Sequence, residues 1–119
     1  MSKIKATIFH NPRCSKSRKT LELLQQQDLD ITTIDYLNSP PDSETLADVL
    51  ERLNCSPRDI IRNNESEYTQ AGLDDPSVSD RSLIEAIISY PHLLQRPIVL
   101  IGEGAAIGRP PEAVLDLLS

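Results

Sequence analysis

Residues 4–36 read IKATIFHNPRCSKSRKTLELLQQQDLDITTIDY. Ile4 to Phe9 alternates apolar and polar residues in the manner of a strand. Asn11-Pro12 is a turn signal that ends it. From Cys14 or Ser15 the pattern changes, and Leu21 and Leu24 fall on one face of a helix running to about Gln27. Asp28 to Asp30 breaks that helix. Ile31 to Tyr36, rich in β-branched residues, predicts a second strand. Strand, helix and strand within about thirty residues form a βαβ unit. Its strands are expected to be parallel, with a right-handed crossover.

Downstream the periodicity becomes helical. Ser39-Pro40-Pro41-Asp42 is a stop followed by a cap, and Leu46, Val49, Leu50 and Leu53 then fall at i, i+3, i+4 and i+7. Ser56-Pro57 predicts a short helix carrying Ile60, Ile61 and Arg62, and Asn63 to Pro76 is polar and loop-like. Ser79 or Asp80 caps a further helix containing Leu83, Ile84, Ile87 and Ile88, which Pro91 stops. Residues from about Asp42 to Leu94 therefore read as a helical insertion.

Pro97 to Ile101 is a continuous apolar run, as expected of a strand buried on both faces. Gly102-Glu103-Gly104 predicts a hairpin turn, with Ala105 to Ile107 returning as a short strand. Arg109-Pro110-Pro111-Glu112 opens a last helix whose Val114, Leu117 and Leu118 face inward. The order predicts an α/β fold, a small mixed β-sheet flanked by helices, of the thioredoxin-like type. Residues 1–119 are expected to form one domain.

Composition excludes several function classes. No apolar run approaches the roughly 20 residues of a membrane span. Met-Ser-Lys-Ile-Lys leads into a strand rather than a signal-peptide core, so a cytoplasmic protein is expected. Thiols there stay reduced, and two cysteines make no disulfide scaffold. A net charge of -6 disfavours nucleic acid and anionic lipid as partners. Aromatic residues at 3%, with no Trp, leave no stacking platform for single strands. Two histidines and two cysteines at these separations make no metal-binding motif.

Against that acidic total, His10 to Thr20 gathers Arg13, Lys16, Arg18 and Lys19 around Cys14. A free thiol is mostly protonated at neutral pH. Helix N-terminal amides and nearby cations stabilise the thiolate, and the same features attract an oxyanion. Cys14 has both, at a strand-to-helix connection where ligands of α/β folds gather. The bland alternative is a small buried hydrophobe beside solvated cations. The local motif is Cys14-Ser15-Lys16-Ser17, with no second thiol to resolve a disulfide, so redox chemistry there draws on an external thiol. His10 tunes the thiolate or bonds to backbone. Cys55, between helices of the insertion, reads as a buried or incidental cysteine, and His92 as structural or solvated.

Four blocks in order carry a resemblance: HNPRCSKSR at His10 to Arg18, IIRNNESEY at Ile60 to Tyr68, RPIV at Arg96 to Val99, and GRPPE at Gly108 to Glu112. With them the chain resembles the ArsC family of glutaredoxin-linked arsenate reductases, and within it the short YfgD-like branch. The resemblance implies that Cys14 is the nucleophile. It implies that Arg62, Arg96 and Arg109 bind the oxyanion and converge on Cys14, and that His10, Asn11, Ser17 and Arg18 are candidates for tuning the thiolate. It implies a cis proline at Pro97 facing the cysteine. It further implies arsenate as substrate, glutathione as reducing co-substrate, glutaredoxin as partner, and no bound cofactor or metal. Ser15-Lys16 departs from the smaller pair usual in the family, which bears on which anion fits. Two other readings stay open. One is a non-enzymatic interaction module like the Spx regulators, which sense oxidation through a C-x-x-C that Ser17 interrupts here. The other is a thiol reductase acting on a different substrate.

Overall fold

The computed structural model of the chain describes residues 4–62 and 65–118. Two compact units divide it: Met1–Ser39 with Arg96–Ser119, and Pro40–Gln95.

The first unit holds the sheet. Its strands are β1 (Ile4–His10), β2 (Leu29–Asp35), β3 (Ile98–Ile101) and β4 (Gly104–Ile107), in the order β2-β1-β3-β4. The β1–β2 pair is parallel, joined by α1 (Ser15–Gln25), as the βαβ reading requires. β3 runs antiparallel to both β1 and β4. β2 starts two residues earlier than its β-branched run suggests, because Leu29 and Asp30 pair with Ile4 and Lys5. The closing helix is of 3₁₀ type, Pro111–Leu118.

Alternation sorts the side chains between two faces. On one, Ala6, Ile8, Leu29, Val99 and Ile101 pack with Leu24 of α1 and Val114 of the closing 3₁₀ segment. Ile8, Leu24, Val99 and Val114 are fully buried. Truncating such a residue to Ala costs about 2–5 kcal/mol. The opposite face carries the row Ile34, Phe9, Ile98, fixed by the pairings of Phe9 with both neighbours. Gly108 is needed where the β4 exit passes α1: a Cβ there would meet Thr20 Oγ1 at 2.6 Å and Pro97 Cγ at 2.8 Å. Gly102, at φ +57°, supplies the left-handed residue of the β3–β4 turn.

The second unit is helical. α2 (Ser43–Leu53) is capped by Asp42, which accepts a hydrogen bond from the Thr45 amide at 2.8 Å, and ends at Asn54 with φ 54°. Its buried Leu46, Val49 and Leu50 form the inward stripe. α4 (Asp80–Ser89) is capped by Ser79, buries Leu83 and Ile87, and packs on α2.

Two expectations for this unit are corrected. The short helix after Ser56 spans only Pro57–Ile60; Ile61 instead pairs with Leu94 in an isolated antiparallel bridge, and the Arg62 amide donates to Leu93 O at 2.7 Å. The stretch expected to be a loop contains α3 (Ser66–Gln70), while Asn63 and Asn64 lie outside the described residues. Arg58 provides the long-range support that periodicity does not reveal. Its guanidinium donates to Tyr68 Oη at 3.0 Å, Leu73 O at 2.7 Å and Asp75 O at 3.0 Å.

Candidate functional site

The carboxyl ends of β1 and β2 open onto the loop from Asn11 to Cys14. The loop is tied down by its own groups. Cys14 N donates to Asn11 O at 3.0 Å, Arg13 N to Asn11 Oδ1 at 3.0 Å, and Asn11 N to Ser17 Oγ at 3.0 Å. Arg18 reaches back to Pro12 O at 2.9 Å. These bonds hold Cys14 in an extended conformation (φ −93°, ψ 123°) as the N-cap residue of α1. Its side chain therefore faces helix amides that have no partner within the helix.

Cys14 is 9% exposed. Burial pushes its thiol pKa up, but the Ser17 amide, the Arg96 guanidinium and the Lys16 amide together hold it below the ordinary thiol value. The amide contacts act electrostatically, since no cap hydrogen bond closes onto Sγ. The positive cluster predicted around the thiol thus works differently from its appearance in the sequence. Lys16 acts through its backbone, Arg18 braces the loop, and the cation acting on the sulfur comes from Arg96, distant in the chain.

Behind the loop, Ser17 is fully buried, and its Oγ lies 2.6 Å from His10 Nδ1. Burial lowers the His10 pKa, Asp35 opposes that shift, and Arg18 adds to it. A neutral ring with Nδ1 accepting the Ser17 proton satisfies both partners, since Ser17 Oγ already accepts from Asn11 N. His10 bonds to Ser17 rather than to backbone, one residue removed from the thiol's own contacts.

Arg96 precedes Pro97 through a cis peptide bond, and Arg109–Pro110 is cis as well. Arg109 Nε donates to Arg96 O at 2.8 Å, and Gly108 N to Pro97 O at 2.9 Å, so the β4 exit braces the Arg96 segment. Arg96 thus acts on Cys14, while Arg109 is set against the Arg96 carbonyl. Arg62 lies in the helical unit, paired with Glu65 at 2.8 Å.

Tyr36 is the residue that sequence reading missed. It follows β2, is fully buried, and its hydroxyl has no hydrogen-bond partner among the described residues. Burial pushes its pKa up to about 12; Arg96 and Asn11 pull it down, and Cys14 adds to the rise. The parallel pairing of His10 with Asp35 puts Tyr36 at the level of Asn11. The argument that singled out Cys14 from a strand's carboxyl end applies equally to it. A cleft of about 310 Å³, lined by Asn11, Pro12, Arg13, Asp35, Leu37 and Asn38, borders the same loop.

In the helical unit, Cys55 is half-buried, and burial and then Asp59 push its thiol pKa up. His92 Nε2 lies 2.9 Å from Glu67 Oε2. Ligand atoms of Glu65, Glu67 and His92 lie within 4.8 Å of one another. In this cluster Arg62 pairs with Glu65 and His92 with Glu67. No helix among the described residues is long and apolar enough to cross a membrane.

A small mixed sheet flanked by helices, with a cysteine at its first βα connection, defines the thioredoxin-like class. Comparison with known proteins makes the class specific. The ArsC family profile matches residues 9–117, and the chain belongs to that family. The protein YfgD of Escherichia coli (strain K12), itself uncharacterized, is 45% identical over 112 residues, covering 93% of this chain and 94% of its own. An arsenate reductase of Neisseria meningitidis serogroup B is 44% identical over 112 residues, covering 93% and 96%. The solved structure of an arsenate reductase from Vibrio cholerae superimposes with a TM-score of 0.93 at 39% identity, covering 97% of this chain and 98% of that one.

Proposed function

We propose that this protein is an arsenate reductase working through Cys14 with glutathione and a glutaredoxin. The observation that carries the reading is the Cys14 thiol at the start of α1, its pKa lowered by helix amides and the Arg96 guanidinium. Those groups suit a thiolate and an oxyanion alike. The named relatives point to arsenate among oxyanions.

In this reading the Cys14 thiolate attacks arsenic, and a protonated oxygen leaves as water. Glutathione thiolate then attacks the Cys14 sulfur. The sulfur–arsenic bond breaks with its electron pair going to arsenic, which departs as arsenite, leaving a Cys14–glutathione disulfide. A glutaredoxin thiolate takes the glutathione and releases the Cys14 thiolate. Arg96 meets negative charge on the oxyanion, as a fixed guanidinium does. Arg109 steadies Arg96 through its carbonyl. Arg62 enters through the resemblance of its motif. The chain acts as a single thioredoxin-like domain in which residues 42–94 are an insertion, working in the cytoplasm.

A coupled assay following NADPH through glutathione reductase tests this. Oxidation is expected with arsenate, glutathione and glutaredoxin together, and not when either thiol donor is omitted. No turnover in the complete mixture, with the glutaredoxin active on a control disulfide, overturns the reading.

A further inference from the structure

The Tyr36 hydroxyl is a buried polar group that neither the fold nor the mechanism above uses. A buried hydroxyl left without a partner costs about 1–3 kcal/mol. Phenylalanine would fill the same space without that cost, so the oxygen is a poor choice for stability.

Its neighbours say what it suits. Ile34, Phe9 and Ile98 form one row on a sheet face, and Tyr36, two residues beyond Ile34, continues that face past the end of β1. There it is within electrostatic reach of Arg96, Asn11 and Cys14. Arg96 offers only donors. The Asn11 Oδ1 is engaged by the Arg13 amide, leaving its NH₂ toward other partners. Neither side chain meets the geometry of a hydrogen bond with the phenol. The hydroxyl thus lies near two donor side chains and has no hydrogen-bond partner of its own among the described residues, an arrangement that an anion completes. The phenol stays protonated throughout the neutral range, so it donates without adding charge against an incoming oxyanion.

We infer that Tyr36 is an anion-binding residue, its hydroxyl donating a hydrogen bond to an oxygen of the oxyanion held by Cys14 and Arg96. The inference rests on the proposed oxyanion chemistry at Cys14. Both Tyr36 and Cys14 are covered, at 0% and 9% exposure.

The test compares the full chain with Tyr36→Phe, using inorganic phosphate as binding probe and arsenate as substrate. Without anion, Tyr36→Phe is expected to melt at the parent temperature or above it. Phosphate affinity, read from concentration-dependent stabilisation, is expected to fall about tenfold, as for loss of a hydrogen bond to a charged partner. KM for arsenate is expected to rise by a similar factor. A variant that melts several degrees lower or fails to fold makes the hydroxyl structural and overturns the inference. Parent-like phosphate affinity and KM overturn it too, while leaving the reductase reading intact. If the parent is neither stabilised by phosphate nor active on arsenate, the reading falls and the inference with it.

Discussion

The two cysteines of this chain sit in different units and are driven in opposite directions. Burial raises the pKa of both thiols. Around Cys14, two backbone amides and the Arg96 guanidinium more than cancel that rise. At Cys55, near the end of α2, the neighbouring charge is the Asp59 carboxylate, which adds to it. A helix start with a cation favours the thiolate, and a helix exit beside an acid favours the thiol. The contrast teaches that cysteine reactivity follows the charges and dipoles around the sulfur, because desolvation penalises both thiolates alike.

The largest expected effect comes from removing one side of the contrast. Cys14→Ser should abolish arsenate turnover, by on the order of a thousandfold or more, since a serine hydroxyl is not ionised at neutral pH. Unimpaired turnover would mean that the nucleophile lies elsewhere.

Next comes the cation. Arg96→Ala should lower kcat/KM for arsenate by about a hundredfold, the scale of one oxyanion contact. It should also raise the pH at which iodoacetamide alkylates Cys14. A profile that stays put would sever Arg96 from the thiolate.

The pH dependence sharpens the comparison without mutation. Below the ordinary thiol value of about 8.5, Cys14 should alkylate while Cys55 does not. The sign for stability follows. With its folded pKa depressed, the stability that the Cys14 thiolate contributes is fully present above the unfolded pKa and is lost as pH falls through the folded pKa. Mass-mapped alkylation and unfolding across that window check both statements. Equal labelling of the two cysteines would erase the distinction.

A smaller effect tests whether the helical unit is braced as described. Arg58→Ala loses three hydrogen bonds. It should cost about 1–3 kcal/mol in denaturant unfolding, leaving the alkylation profile of Cys14 unchanged. The smallest effect is expected from Cys55→Ser, with turnover equal to the parent. Loss of activity in a folded protein would reveal a thiol relay between the two cysteines.

Much of the sheet unit is legible in the sequence alone, because its signals are local. The alternation of Ile4 to Phe9, the Asn11-Pro12 turn and the apolar run at Pro97 to Ile101 are each decided by residues close in the chain. α3 escaped notice because five residues carry too little periodicity, and because its support comes from Arg58, at least eight residues upstream. Tyr36 escaped notice for a related reason. Its meaning lies in the parallel register that sets it beside Asn11, and register between strands is a property of the pair.

By itself the sequence determined the βαβ unit, the cysteine at the start of α1, the absence of a second thiol in its motif, and the four blocks that carry the family resemblance. These depend on residue type and short spacing, which the chain states outright. Only the tertiary structure decided which charges act on the sulfur. It brought Arg96 to Cys14, braced it with Arg109, gave Lys16 its influence through an amide and Arg18 a role in the loop, and left the Tyr36 hydroxyl among donors. Electrostatic effects fall off with distance in space, and folding reassigns that distance independently of separation along the chain.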